Sequence, residues 1–139
     1  MRISRFEVRT ADVARATGGA TVRVLFVKLT AENGVFGLGT ATPGAGLEVH
    51  TECLAGLESA RWLERADPLD VHVLSRRIED DLADTPAARA AIDVALHDLW
   101  SRLMEAPLTD LLGRAHDGLA STHTLRASDA EALVLEART

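Results

Sequence analysis

The sequence contains no tyrosine, a single cysteine, Cys53, and a single lysine, Lys28. One thiol cannot close an internal disulfide, which excludes a disulfide-stapled scaffold. Basic residues are also in deficit: Lys and Arg total 15 against 21 Asp and Glu, for a net charge of -6. A general nucleic-acid binder needs the opposite sign to displace counterions. No apolar run approaches the ~20 residues that span a bilayer. No charged-then-apolar leader opens the sequence, so a cytoplasmic protein that engages neither membrane nor nucleic acid is expected. The length, 139 residues, also falls short of a (β/α)8 barrel, which takes at least ~200. What is present is an apolar share of 47%, enough for the core of one domain.

The first forty residues carry strand patterns. Ile3 to Thr10 alternates Phe6 and Val8 with Glu7 and Arg9, as a half-buried edge strand does. The small, glycine-bearing stretch Arg15 to Ala20 reads as a connecting loop. Thr21 to Thr30 is nearly continuous in Val, Leu and Phe and predicts a central strand covered on both faces. Asn33-Gly34 supplies the backbone angles of a tight hairpin, and Val35 to Ala41 returns antiparallel with Phe36 and Leu38 on one face and Gly37 and Gly39 on the other. After Pro43-Gly44 the period becomes helical. Leu47, Leu54, Leu57 and Leu63 mark a helix over about residues 45 to 65. Val71, Leu74, Ile78 and Leu82 mark a second, with Arg76–Asp80 and Arg77–Asp81 as i,i+4 pairs. Thr85-Pro86 opens a third helix, Ala87 to Glu105, whose buried stripe is Ala88, Ile92, Ala95, Leu99 and Leu103, widened by Ala91 and Leu96. A short turn, Leu108 to Leu112, stops at Gly113. Strands first and helices afterwards predict an α+β fold: a three-stranded antiparallel meander followed by three main helices. Residues 114–139 read differently, as a strand-like Ser121 to Leu125 and a helix from Ser128, a β-α tail.

Chemistry is harder to find. His50, His72, His97, His116 and His123 are scattered without i,i+4 spacing, so no metal-ligand pattern exists. Asp93 and His97 are suited to a structural hydrogen bond, and Asp80, Asp81 and Asp84 to a solvated face paired with arginines. Cys53 falls in a helix beside an apolar stripe, where a thiol is buried and inert. Gly37-Leu38-Gly39 lacks the third glycine and the helix start of a phosphate loop, which leaves a sheet role for its glycines. Lys28 reads as an exposed charge near a strand end. The loops Arg15 to Thr21 and Thr40 to Gly46, rich in Gly, Thr and Ala, both flank the meander and are the candidates for ligand contact.

Together these features carry a family likeness. The meander, the mobile loop, the hairpin, Gly37-Leu38-Gly39-Thr40-Ala41-Thr42-Pro43, the segment Ala88-Arg89-Ala90-Ala91-Ile92-Asp93-Val94-Ala95-Leu96-His97-Asp98-Leu99 and the ending Pro107-Leu108-Thr109-Asp110-Leu111-Leu112-Gly113 resemble the N-terminal capping domain of the enolase superfamily, in its muconate-lactonizing, mandelate racemase and dipeptide-epimerase branch. The likeness covers residues 1–113. Residues 114–139 resemble the first strand and helix of a barrel.

The resemblance implies a two-part enzyme, an isomerase, racemase or cycloisomerase. A capping domain closes two flaps over the substrate, while a barrel holds Mg2+ on three carboxylates and carries the groups that abstract a proton next to a carboxylate. By match, Arg15, Thr17, Gly18 and Gly19 belong to the first flap and Thr42 to the second, as substrate-binding residues for a small carboxylate. Thr40 stands where many members have a glutamate. With Lys28 the sole lysine, no Lys-x-Lys base is present, and no catalytic or metal-binding residue is expected in this chain. No cofactor is expected either, Mg2+ belonging to the absent barrel. The expectation is therefore a substrate lid, incompetent for catalysis alone, that self-associates or binds a barrel-bearing partner. A stand-alone ligand-binding or assembly module with the same fold is the alternative.

Overall fold

A change of hydrophobic period from two to 3.6 near residue 45 divides the molecule into a sheet and a helical layer. The computed structural model describes residues 1–14, 21–42 and 47–113, with Gly118 and Val134 besides. Strands β1 (Ile3–Val13), β2 (Val22–Ala31) and β3 (Phe36–Ala41) form an antiparallel sheet in the order β1-β2-β3. Helices α1 (Leu47–Ser59), α2 (Val71–Asp81), α3 (Pro86–Leu103) and α4 (Leu108–Leu112) follow, with a 3-10 turn at Ala60–Leu63. The tail's expected strand falls outside the described residues, as does its expected helix apart from Val134.

The β2–β3 turn forms as its sequence dictates. Gly34 has φ 85°, and its N–H donates to the Ala31 carbonyl at 2.9 Å. The Asn33 side-chain oxygen accepts from the Val35 N–H at 3.1 Å, an Asx turn that fixes the register. From that turn, Leu25, Val27, Leu29 and Ala31 of β2 alternate inward and are buried. Val24, Phe26, Lys28 and Thr30 alternate outward and are half-buried. The expectation of a strand covered on both faces is thus corrected: among the described residues the helices lie on one side of the sheet, and a β-branched run reads the same whether its second face is covered or not. Lys28 is likewise mid-strand, its ammonium 4.5 Å from the centre of the Phe36 ring.

The helical layer meets the sheet most closely where α3 crosses β3. Gly37 and Gly39 face inward, as the alternation predicts, while Leu38 is exposed. A Cβ on Gly37 would overlap the Ala95 carbonyl oxygen and the Leu99 nitrogen, and one on Gly39 would overlap the Ala91 carbonyl oxygen. Helix α3 answers with Ala88, Ala91 and Ala95, so backbone rests almost on backbone. Ile92, Leu96 and Leu99 then fill the space toward Val27, Leu29 and Leu57, all fully buried. Pro86 occupies the first turn of α3 with Thr85 before it, though the Thr85 hydroxyl makes no capping bond.

Three further details differ from the pattern. Helix α1 ends at Ser59 and tightens into the 3-10 turn, where Ala60 and Leu63 are buried. Of the two ion pairs expected on α2, Arg77–Asp81 forms at 3.3 Å, with Arg77 also stacked 3.7 Å over Trp62. Arg76 turns toward α3 instead, lining the groove between the two helices. Leu103, assigned to the buried stripe, is only partly buried at the end of α3.

Both outer strands are tied to the helical side by acidic residues. Glu64 accepts the Phe6 N–H of β1 at 3.1 Å, and Asp98 of α3 accepts the Leu38 N–H of β3 at 2.9 Å. Asp98 also takes the Arg102 Nε at 3.0 Å. Among the described residues no helix is long and apolar enough to cross a membrane.

Candidate functional site

The register decides which end of the sheet matters. Val13 pairs with Val22 where β1 passes into β2, and Leu25 pairs with Ala41 where β3 ends. In an antiparallel meander those positions share one end, so the β1–β2 and β3–α1 connections leave the sheet side by side. The β1–β2 ribbon runs three residues further than β3, roughly 10 Å at strand rise. Thr42 follows the last β3 pair and is exposed. Arg15, Thr17, Gly18 and Gly19, the other residues assigned to ligand contact, lie outside the described residues.

An ion pair sits one register position inside the end of that ribbon. Arg23 donates through Nε to Asp12 Oδ1 at 2.9 Å and through Nη2 to Oδ2 at 3.2 Å, a two-point fork. The two residues are register partners. By alternation they share the inward face with Thr10 and Leu25, beyond the part of the sheet the helices cover. The Arg23 hydrogen bond holds the Asp12 carboxyl below its usual value, its charge and that of His50 on α1 adding to the effect while burial opposes it. The same contact raises Arg23. Sequence reading did not single out this pair. A signal existed: Asp12 and Arg23 are equidistant from the centre of the intervening loop, as cross-strand partners in a hairpin must be.

Elsewhere the residues with chemical potential are in structural use. Cys53 is buried at 3% exposure, and burial pushes its thiol up from the ordinary value, in keeping with an inert group. His97 Nδ1 lies 2.9 Å from the Asp93 carbonyl oxygen, and the Asp93 carboxylate accepts from Ser75 Oγ at 2.9 Å. The Asp93–His97 contact is thus structural as expected, with the backbone as the shorter acceptor; His97 Nδ1 stands 3.5 Å from the carboxylate. Among the described residues no three His, Cys, Asp or Glu side chains lie together so as to hold a metal ion.

Both the sequence and the fold match known proteins. Residues 3–113 match the model of the mandelate racemase / muconate lactonizing enzyme N-terminal domain. The chain belongs to this family. The chain is 39% identical over 110 residues to the L-Lys-D/L-Arg epimerase of Desulforapulum autotrophicum, covering 76% of this chain and 31% of that protein. To the L-Lys-D/L-Arg epimerase of Methylococcus capsulatus it is 38% identical over 118 residues, 82% of this chain and 33% of the other. The solved structure of the Methylococcus capsulatus dipeptide epimerase with Mg and the dipeptide L-Arg-D-Lys superposes with a TM-score of 0.78 at 33% identity, covering 99% of this chain and 42% of that one. The chain therefore spans about a third of the length of the curated relatives it matches. Its α+β architecture is that of the N-terminal domain of enolase-superfamily epimerases and racemases.

Proposed function

We propose that this chain is the substrate lid of an enolase-superfamily isomerase, acting on a small carboxylate of the dipeptide class. The observation that carries the reading is the common exit of the β1–β2 and β3–α1 connections from one end of the sheet. Two loops anchored on a rigid meander can close on the same molecule. Arg15, Thr17, Gly18 and Gly19 on the first loop and Thr42 on the second are the residues assigned to the distal part of the substrate. The Asp12–Arg23 fork keeps the ribbon that carries the first loop in register.

The described residues do not fit Mg2+, since no three candidate ligands converge among them. Metal and proton-abstracting groups are assigned to a barrel, the partner this lid requires, either in the same enzyme or by association. In that reading the chain contributes binding and water exclusion, and chemistry belongs to the site on the barrel.

The test replaces the N-terminal third of the Methylococcus capsulatus epimerase with residues 1–113 of this chain. The hybrid is expected to exchange the dipeptide α-proton for deuterium, with Thr42→Ala raising KM more than it lowers kcat. The 139-residue chain alone is expected to give no exchange. A folded hybrid without exchange, or Mg-dependent exchange by the 139-residue chain, overturns the proposal.

A further inference from the structure

Between α2 and α3, on the opposite side of the helical layer from the sheet, lies an open groove of about 660 Å³. It follows from two rows of residues at helical spacing. Helix α3 contributes Arg89, Asp93 and His97, four residues apart, and α2 contributes His72, Arg76 and Glu79. Ser75 and Ala90 stand between the rows, too small to close them.

The arginines of these two helices divide into two kinds. Arg77 and Arg102, away from the groove, are paired with Asp81 and Asp98. Arg76 and Arg89, which line it, have no ion-pair partner among the described residues. A guanidinium left with free donors on a partly enclosed wall is suited to a carboxylate or phosphate oxygen. The same walls carry Glu79 and Asp93, one on each helix, so a simple anion entering the groove meets like charge on both sides. Asp93 is held in place by Ser75 Oγ, and its carbonyl oxygen lies 2.9 Å from His97 Nδ1, which fixes the ring on the groove wall. Two cationic and two anionic groups together match a molecule that bears both signs.

We propose that the α2–α3 groove binds a small zwitterion of amino-acid or dipeptide size, its carboxylate between Arg76 and Arg89 and its ammonium on Glu79 and Asp93. This site is separate from the loop end of the sheet and does not depend on the lid reading. Its occupant takes part in no bond-making step. Binding there ties α2 to α3, the helix that rests on β3.

A reporter is built in. Trp100 lies edge-on to both His72 and His97, with ring centres 6.1 and 6.2 Å away. In a Trp62→Phe background its fluorescence reads the groove alone. Titration of the 139-residue chain with glycylglycine is expected to give a saturable change. Acetate and methylammonium are expected to give none at tenfold higher concentration. The Arg76→Ala, Arg89→Ala double variant should weaken the midpoint by at least about tenfold, the loss expected for charged hydrogen bonds. Far-UV circular dichroism checks its fold, and the Arg76→Gln, Arg89→Gln pair replaces it if the alanine pair unfolds. No saturable change with glycylglycine, an unaltered midpoint in the folded double variant, or inorganic phosphate binding as tightly as glycylglycine overturns the proposal.

Discussion

The β3–α3 seam and the loop end of the sheet are built from the same short strand, yet they follow opposite rules. At the seam, Gly37 and Gly39 meet Ala91 and Ala95 with no room for one more carbon. At the loop end, Thr42 is exposed and the Asp12–Arg23 fork stands in solvent. The seam is fixed by volume, which tolerates almost no substitution. The loop end is fixed by polar contacts that water also supplies, which leaves it freer to vary. Within one domain, the rigid part is where side chains are missing.

That contrast breaks first at Gly39. Substitution by Val should destabilise by more than about 3 kcal/mol, the upper range for overpacking, because the obstruction is the Ala91 backbone and not a flexible side chain. Urea unfolding within 1 kcal/mol of the parent would show that the helix can retreat and that the seam is not the rigid part. A comparable loss, about 2–5 kcal/mol, is expected for Leu57→Ala, which empties a fully buried position beneath α3. If Leu57→Ala costs more than Gly39→Val, ordinary core volume and not the seam sets the stability.

Smaller effects sharpen the comparison at its boundary. Asp98→Ala removes the acceptor of the Leu38 N–H and the partner of Arg102 and should cost about 1 kcal/mol. At the loop end, Arg23→Gln should lower the urea midpoint only slightly, since the pair is exposed, while the Asp12 carboxyl titration, followed by NMR, moves up toward the ordinary aspartate value. The sign follows from linkage. A carboxyl depressed in the folded state adds stability above its unfolded value, and that contribution disappears as pH falls through the folded value. An unmoved titration in Arg23→Gln would mean that another group, not Arg23, holds Asp12 low.

Much of the seam was legible in the sequence, since Gly37 and Gly39 alternate with Phe36 and Leu38, and the α3 alanines recur at helical spacing. Strand order followed from the Asn33-Gly34 turn and the apolar density of β2. What did not follow was whatever depends on a second layer or on a side chain's choice of partner. The outer face of β2 looked covered because Val, Phe and Thr suit strands generally, and only the helices' placement on one side exposes it. Arg76 looked paired with Asp80 by spacing, yet its long side chain serves the groove instead. Asp12 and Arg23 lie eleven residues apart, so their contact emerged only with the register of a hairpin whose loop length had first to be known. The loop from Arg15 to Thr21 stood out by its Gly, Thr and Ala content, but the roles of Arg15, Thr17, Gly18 and Gly19 came from resemblance, because glycine-rich loops carry no periodicity from which to place side chains.

The carboxylates at the two margins of the sheet restrict how this polypeptide can combine with anything else. A fourth strand arriving beside β1 or β3 finds the amides of Phe6 and Leu38 already committed to Glu64 and Asp98. Growth of the sheet by zippering on another backbone is opposed at one position on each flank. A strand seeking a full ladder there would first have to displace a carboxylate, whereas contact through side chains meets no such obstacle.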